Sequence, residues 1–405
     1  MVLTERSRRQ NFFLILILGA LNTVTPFSID MYLPAFPRIA ADFKTGIDEV
    51  ALSVSTYFLG FALGQILYGP LLDRFGRKPP LYTGLILYLI TTVGCAVTNS
   101  IEVLWVMRFL QALGGCVASV AAMAMVRDFF PVEKSAGVIS LLVLILGASP
   151  LLAPTTGSFI IEWWGWHAVF IILALITFLI LLAVFFFLPE GHQPDTSISL
   201  KPGPIIKGFT DVLKEPRFYV FALAGSLSFS GLFVYVAHSP SIFMEHFKLD
   251  GKVYGGIFAL LSVGFIGGSQ LNHILTKYYS NQQILKAILI IQTAAAVLFL
   301  LGALNNWYGL AAVIVFLFII LGCSGITYPN AAALCMAPFS KNAGAAAALL
   351  GFIQIGCGAL MSAAAGWLGF EPVLTMAAVM SATVLLALII LLRGARNLDK
   401  AGLSK

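Results

Sequence analysis

The sequence predicts an all-α integral membrane protein with twelve transmembrane helices in two six-helix bundles. Of its 405 residues, 59% are hydrophobic and only 10% are charged, and the mean hydropathy is +0.95. Soluble domains carry about 25% charged residues, so this composition excludes a soluble enzyme, a nucleic-acid-binding protein and a disordered chain. Twelve apolar stretches are each long enough to cross a bilayer, which takes about 20 residues. One long polar segment divides them into two sets of six.

The first six spans lie within residues 1–188, which we interpret as the N-terminal bundle. A basic head (Arg6, Arg8 and Arg9) precedes the first span, and no convincing small-residue cleavage site follows it. We therefore interpret this span as a retained helix and not as a signal peptide. The approximate bounds of the six spans are Asn11–Leu33, Ile47–Leu72, Leu81–Val97, Ile101–Val126, Ser135–Ile161 and Trp166–Leu188.

The polar segment 189–215 contains several Pro and Gly residues and predicts a cytoplasmic linker. The C-terminal bundle follows at 216–393, and residues 394–405 form a predicted cytoplasmic tail. The approximate bounds of the second six spans are Phe218–Pro240, Val253–Leu275, Ile284–Leu304, Trp307–Pro329, Ala343–Trp367 and Pro372–Leu392.

The basic residues predict the orientation of the chain. With both termini in the cytoplasm, inner segments hold nineteen of the 24 Lys and Arg residues, and outer loops hold four. Lys and Arg accumulate on the cytoplasmic side of membrane proteins, so both termini are predicted to be cytoplasmic. The net charge of +6 is explained by this bias and indicates no nucleic-acid partner.

Only Asp30 and Arg108 are predicted to lie well inside spans. A lone charge at mid-membrane costs at least ~2.5–3.5 kcal/mol on insertion scales, so we expect both to face a shared, partly hydrated cavity. A carboxyl group there is a candidate proton carrier, because its proton affinity depends on hydration and on its distance from the arginine. A permanent ion pair, or an Asp30 simply at the water interface, remains open.

The fifth span contains Pro150 and Pro154, which remove two backbone donors and predict a bend in this helix. A gating role and a static bend both remain open. In the turn after the second span, Gly76 permits a tight reversal. Asp73 stands there among basic residues, which indicates either an ion-pair latch or an ordinary positive cytoplasmic loop.

Small residues recur four apart in several spans, as in Gly60/Gly64 and Gly264/Gly268. Such spacing lets helices pack closely in a membrane, and it fits both moving and static seams. The five histidines fall at predicted helix ends or in loops. His238 could titrate there, although a solvated position is the commoner case.

Other classes of membrane protein find little support. The five cysteines lie in apolar stretches without a CxxC pair, which indicates neither a metal site nor disulfides. No nucleotide-binding GxxxxGK[ST] loop occurs, so we expect no cofactor and do not expect ATP to drive transport. An enzyme would need a cluster of catalytic groups, and a channel a repeated filter or charged ring; the sequence contains neither.

Several motifs resemble those of one transporter family. The run Gly69–Leu81 resembles motif A of the major facilitator superfamily, and Arg108–Gly115 resembles the helix-four motif of its proton-coupled drug exporters. Ser149–Gly157 is similar to the helix-five antiporter motif, with Pro154 where many relatives have a glycine pair. The segments that resemble the Bcr/CflA subfamily of drug/proton antiporters are Ser28–Pro34, Val126–Pro131 and Gly165–Phe170.

This resemblance implies the twelve-helix fold of that superfamily and a rocker-switch mechanism, in which two bundles expose a central cavity to each side in turn. It implies that Asp30 is the protonatable site and Arg108 its electrostatic partner. Residues implied to form an inner gate are Gly69, Asp73, Arg74, Gly76, Arg77 and Asp128. Residues implied to shape the helix that controls leakage are Pro150, Pro154 and Gly157.

The function implied is proton-coupled export of small amphipathic compounds or antibiotics across the bacterial cytoplasmic membrane, by a monomer. A metabolite or nutrient transporter of the same fold, running as a symporter or as an amino-acid-type exporter, remains the alternative. Asn22 stands where some multidrug relatives carry a second acid, which suggests one proton per cycle or fewer cationic substrates. Aromatic and amide side chains are the candidate substrate contacts, namely Phe27, Tyr32, Tyr57, Gln111 and Tyr235.

Overall fold

The computed structural model describes residues 8–130, 132–191, 194–195, 200–339 and 343–400. The start of the basic head at Arg6, the end of the predicted tail and His192 lie outside these ranges. All regular structure within them is helical. The helices of the first half are α1 (Arg8–Asp30), α2 (Phe36–Phe43), α3 (Ile47–Phe75), α4 (Lys78–Val97), α5 (Ile101–Phe129), α6 (Val132–Trp164) and α7 (His167–Phe187).

The second half begins with a short helix in the predicted linker and continues with six long helices. They are α8 (Pro202–Leu213), α9 (Pro216–Pro240), α10 (Gly251–Leu275), α11 (Asn281–Leu304), α12 (Leu310–Met336), α13 (Ala343–Leu368) and α14 (Pro372–Lys400). In the described part of the chain, eleven helical segments have the length and composition to cross a membrane. The 33-residue α6 is a twelfth long helix.

Two helix ends differ from the sequence prediction. The predicted first span ran to Leu33, but α1 ends at Asp30 and a 3-10 turn, Leu33–Ala35, leads into α2. Pro34 lacks the N–H that would bond to the carbonyl of Asp30 four residues earlier, so the helix cannot continue regularly. Asp30 is therefore the last residue of α1, although it lies within the longer helical segment Asn11–Phe43, which has the length and composition to cross a membrane. At the other end of the chain, α14 continues as helix to Lys400.

Each half of the chain packs mainly with itself. In the first half α5 contacts α1, α3 and α4, and α1 also packs on α6 and α7. In the second half α12 contacts α9, α10 and α11, and α9 also packs on α13 and α14. The two bundles meet mainly along two helix pairs, α3 with α13 and α6 with α10. Movement of one bundle against the other would therefore change the contacts along these two pairs most.

Glycines set the closest helix contacts inside each bundle. A Cβ atom on Gly60 would lie 2.2 Å from the carbonyl oxygen of Phe109, and one on Gly268 would lie 2.1 Å from that of Gly322. Only a residue without a side chain allows α3 to approach α5, and α10 to approach α12, this closely. Large apolar side chains such as Ile90 and Phe186 cover the outside, at 65% and 68% exposure. An apolar exterior of this kind suits lipid and not water.

Candidate functional site

Arg108 lies fully buried in the N-terminal bundle, between two aromatic rings. Its guanidinium carbon is 4.3 Å from the ring centre of Tyr32 and 4.2 Å from that of Tyr57. Nη1 donates a hydrogen bond of 2.5 Å to Oε1 of Gln111. Nε and Nη2 have no hydrogen-bond partner among the described residues. The cation is therefore held by ring faces and one amide, with two nitrogens whose N–H groups remain unused.

Three helices and the end of a fourth position this cation. Arg108 and Gln111 are three residues apart on α5 and so share a helix face. The amide nitrogen of Gln111 donates to the hydroxyl of Thr92 on α4 at 2.7 Å. The Tyr32 hydroxyl, just beyond α1, shares a hydrogen bond of 2.9 Å with Ser53 on α3. These contacts fix the orientation of the amide and of one ring around the guanidinium.

Asp30 lies at the end of α1 with only 5% of its surface exposed. No hydrogen bond or ion pair joins its carboxylate to the described part of the chain. The hydroxyls of Tyr235 on α9 and Tyr254 on α10 lie within electrostatic range of its carboxylate. The Tyr254 hydroxyl shares a hydrogen bond of 2.9 Å with Ser239, whereas that of Tyr235 is buried without a partner among the described residues. Asp30 of the first bundle thus faces the second bundle.

The two buried charges do not form an ion pair in this structure. None of the ion pairs found in the described ranges, with N···O distances up to 4.0 Å, joins Asp30 to Arg108. The ring of Tyr32, two residues after Asp30, covers the guanidinium instead. A permanent ion pair is therefore wrong, because the two groups are not paired in this state.

The predicted substrate contacts fall into three places. Tyr32, Tyr57 and Gln111 surround Arg108, and Tyr235 lies beside Asp30. Phe27 is partly exposed on α1 and packs against the central apolar core.

Asn22, which stands where some multidrug relatives carry an acid, lies on α1 and is buried. Its amide nitrogen donates to the carbonyl oxygen of Leu142 on α6 at 3.1 Å. This hydrogen bond joins two helices of the first bundle. In this state Asn22 is therefore a packing contact.

Arg77 lies in the turn between α3 and α4, at one end of the first bundle, and binds two acidic residues there. Its Nε lies 2.7 Å from Oδ2 of Asp128 at the end of α5, and its Nη1 lies 2.6 Å from Oδ1 of Asp73 at the end of α3. Burial by itself lowers the pKa of Arg77, but the hydrogen bonds and charges of Asp128 and Asp73 outweigh it, so this pKa is raised. The predicted latch residues Asp73, Arg77 and Asp128 therefore lie together.

The remaining residues of this motif shape the turn. Gly76 has φ +83°, a conformation that glycine adopts at little cost. The backbone N–H of Arg77 donates to Oε1 of Glu190, just after α7, at 2.7 Å. The guanidinium of Arg74 lies 5.9 Å from the ring centre of Phe75, and a Cβ atom on Gly69 would meet nothing within 4 Å in the part of the chain that the structure describes.

Helix α6 runs without interruption through Pro150 and Pro154. At Gly157 it comes so close to the end of α1 that a Cβ atom would lie 1.9 Å from the carbonyl oxygen of Met31. Close to this point, a Cβ atom on Gly255 of α10 would lie 3.2 Å from Cα of Thr155. Helix α6 therefore touches both the segment that follows Asp30 and the second bundle.

A buried amide in the second bundle was not predicted from the sequence. Gln292 on α11 is fully buried and donates to the hydroxyl of Ser324 at 2.9 Å, while the hydroxyl of Ser228 donates to its Oε1 at 2.6 Å. It joins α9, α11 and α12. The sequence prediction considered only charged residues within spans. An uncharged amide within an apolar span also indicates a polar contact between helices.

The position of His238 also differs from the sequence prediction. A solvated position at a helix end was the commoner expectation, but His238 is 4% exposed. Its Nε2 lies 2.9 Å from the carbonyl oxygen of Ser362 on α13. A π-helical turn, Ser241–His246, prolongs α9 beyond Pro240, so the imidazole lies inside the helical segment and not at its end.

Comparisons with known proteins agree with this architecture. A family model described as Major Facilitator Superfamily matches residues 18–365. The chain is 29% identical to the bicyclomycin resistance protein homolog of Haemophilus influenzae over 384 residues, which cover 94% of this chain and 96% of that protein. It is 30% identical to the multidrug resistance protein MdtL of Escherichia coli O139:H28 over 341 residues, 84% of each chain.

Two solved structures show the same fold. A D-xylose-proton symporter aligns with a TM-score of 0.70 and 14% identity, covering 93% of this chain and 97% of that one. A bacterial homolog of the human lysosomal transporter Spinster, in an inward-facing and occupied conformation, aligns with a TM-score of 0.71 and 15% identity, covering 96% and 98%. At these identities the likeness concerns the fold alone.

Proposed function

Because the chain belongs to the Major Facilitator Superfamily, we propose that it exports small amphipathic compounds, antibiotics among them, in exchange for protons. Membership makes the chain a multi-pass membrane transporter and not an enzyme, as the sequence predicted. The predicted likeness to the Bcr/CflA subfamily is confirmed by relatives named for bicyclomycin resistance and multidrug resistance. Those names support drug export as the function of this chain.

Proton coupling is supported by the position of Asp30. Its carboxylate is buried without an ion-pair partner among the described residues and faces Tyr235 and Tyr254 of the other bundle. If the bundles move apart, these neighbours move away and water replaces them. Hydration changes the proton affinity of a carboxyl group, so the same movement loads or releases a proton.

Arg108 is the proposed electrostatic partner of Asp30 in another state of the cycle. Two of its nitrogens carry unused N–H groups, and a buried cation without an anion is costly in a membrane. The rings of Tyr32 and Tyr57 that cover it here, with Gln111, offer aromatic and amide surface to an amphipathic substrate. Phe27 and Tyr235 are also proposed substrate contacts, because each offers aromatic surface.

The proposed gates lie at opposite ends of the bundles. At the end away from the termini, Lys252 of α10 pairs with Glu162 of α6 at 3.0 Å, which joins the two bundles. At the end nearer the termini, the contacts of Arg77 with Asp73 and Asp128 stay within the first bundle. We assign the latter end to the cytoplasm of a bacterium, in agreement with the predicted orientation.

The proline-containing helix α6 is the proposed barrier to proton leakage. Its residues Pro150, Pro154 and Gly157 lie where it touches both the end of α1 and α10 of the second bundle. A helix in contact with both sides of the cavity can limit the entry of water there.

The energy source and the oligomeric state of the transporter are also proposed. The transporter works as a monomer, it needs no cofactor, and the proton gradient drives it. A symporter of the same fold remains the second candidate, because relatives of this fold include a proton symporter.

The direction of coupling is tested in energised inverted membrane vesicles, whose interior is acidic. Adding an exported compound, such as chloramphenicol or ethidium, should dissipate the interior acid if the protein is an antiporter. A symporter would produce the opposite change. The Asp30→Asn variant should give no response, and Asp211→Asn, which changes an exposed acid on α8, should behave like the wild type.

Growth tests give an independent measurement. In a host without its own drug pumps, the wild-type chain should protect against part of an antibiotic panel, and Asp30→Asn and Arg108→Ala should not. Undiminished protection by Asp30→Asn would contradict the role of this carboxylate. Equal growth of all strains on every compound would favour metabolite transport instead.

A further inference from the structure

A buried imidazole joins the two bundles at the end away from the chain termini. His238 on α9 of the second bundle has its Nε2 2.9 Å from the carbonyl oxygen of Ser362, in its own bundle. Its Nδ1 lies 4.0 Å from Oδ1 of Asp48, at the start of α3 in the first bundle. The two edges of the ring therefore face one acceptor from each bundle.

Both of these neighbours accept hydrogen bonds. A backbone carbonyl has no proton to donate, so Nε2 must carry the hydrogen. In a neutral ring Nδ1 would then direct a lone pair at the carboxylate of Asp48. In the imidazolium both nitrogens carry hydrogens. The protonated ring therefore suits both neighbours, whereas the neutral ring suits only Ser362.

The surrounding groups leave Asp48 as the charge that faces the ring. On α13 and α14 the neighbouring side chains are uncharged, and among them the hydroxyl of Thr375 is buried without a partner in the described part of the chain. Glu371, just before α14, pairs with His246 at 3.0 Å. On α10, Lys252 pairs with Glu162 of α6. The side chain of Asp48 is 57% exposed, so water reaches this site.

We propose that His238 is a proton-binding residue of the gate at this end, and that its protonation locks the bundles together by completing an ion pair with Asp48. Two hydrogen bonds between the bundles support the same closure. The hydroxyl of Ser241 donates to Oδ1 of Asp48 at 3.2 Å, and the hydroxyls of Ser55 and Ser362 lie 2.7 Å apart. Because binding and conformational change are reciprocal, closure of the gate also favours the protonated ring.

This inference goes beyond the proposed function, in which Asp30 carries the proton. Under that function, protons enter the transporter from the outer side, where we place this gate. A proton that binds at His238 would close the gate behind the entering proton and so favour the return to the inward-facing state. Closure of the gate on protonation therefore agrees with exchange of substrate for protons. Gate closure itself can be measured without a substrate.

The test measures gate closure as a function of pH. Labels on Asn99→Cys, before α5, and Asn305→Cys, after α11, report the distance between the bundles at this end, because both positions are exposed. Cys357, which is partly exposed, is replaced by serine, and the other four native cysteines are buried. The distance distribution is measured by single-molecule fluorescence in nanodiscs between about pH 5.5 and about pH 8, a range that spans the usual histidine titration.

We expect the closed-to-open ratio of the wild type to fall about five- to tenfold as the pH rises, which is the lower end of the ordinary range of coupling between two sites. His238→Gln keeps a donor toward Ser362 but cannot titrate, so its ratio should not change with pH. Asp48→Asn should also weaken the response. His246→Gln removes an imidazole from the same end that pairs within its own bundle, so this control should respond like the wild type.

Two results would overturn the inference. One is a wild-type ratio that does not change with pH, and the other is an identical response in His238→Gln. Asp48→Asn changes the opposite bundle, so it provides a second reading if His238→Gln fails to fold. The response should persist in Asp30→Asn, which separates the gate from the proposed proton carrier. Failed export assays would contradict the proposed function and leave this measurement intact.

Discussion

Gly157→Ala is expected to destabilise the protein by forcing α6 away from the end of α1. The added methyl carbon would lie 1.9 Å from the carbonyl oxygen of Met31, whereas a relaxed C···O contact is about 3.3 Å. The two segments must therefore separate by about 1.4 Å, and the obstacle is backbone that cannot rotate away. Overpacking of this kind costs about 1–3 kcal/mol.

Thermal unfolding of the purified protein measures this effect, and we expect the midpoint to fall by a few degrees. Gly137→Ala is a matched control on the same helix, because a Cβ atom there would meet no atom of the described residues within 4 Å. Its midpoint should stay the same or rise slightly, since alanine favours helix over glycine by up to about 1 kcal/mol. If both variants unfold at the wild-type temperature and transport equally well, the close contact at Met31 is refuted.

Three further substitutions test the described contacts. Arg77→Lys keeps the charge but loses the forked contact with Asp128 and Asp73, so transport should fall, as vesicle uptake measures. Gln292→Leu leaves buried hydroxyls on two helices without their amide partner and should reduce stability by about 1–3 kcal/mol in thermal unfolding. Tyr57→Phe keeps the ring over Arg108 and should unfold like the wild type, whereas Tyr57→Leu should lower the free energy of unfolding by about 0.5–2 kcal/mol. Equal stability of the two variants would contradict the cation–π contact.

The sequence predicted which charges are buried but not what they contact. A charge within a long apolar run is visible in the sequence, so Asp30 and Arg108 could be identified from it. Their contacts depend on where α1 ends and on which ring reaches the guanidinium. Pro34 ends the helix at Asp30, and the following turn brings Tyr32 over Arg108. The spacing of two charges along the chain contains no information on this ring, so a permanent ion pair stayed open as an alternative to the shared cavity.

The latch was more predictable because it is local. Asp73 and Arg77 are four residues apart at a helix end, a spacing at which side chains meet. Asp128 is distant in sequence, and only the resemblance to a family indicated it as a partner.

The contacts of His238 were not predicted because they are not local. This histidine has no charged neighbour in the sequence, and its contacts with Asp48 and Ser362 come from helices that precede and follow it by more than a hundred residues.

The small-residue seams now divide into two kinds, which the sequence left open. At Gly60 and Gly268 the glycine faces a backbone carbonyl of its own bundle, at distances that leave no room for any side chain. Backbone in such contact cannot slide without breaking the helix packing, so these seams keep each bundle rigid. Between the bundles, a Cβ atom on Gly366 would meet a leucine side chain, Leu52, at 3.2 Å, and the polar contacts there involve hydroxyl, imidazole and carboxylate groups. Side-chain contacts of this kind can separate and reform, so we expect the rocking movement along α3 with α13 and not within either bundle.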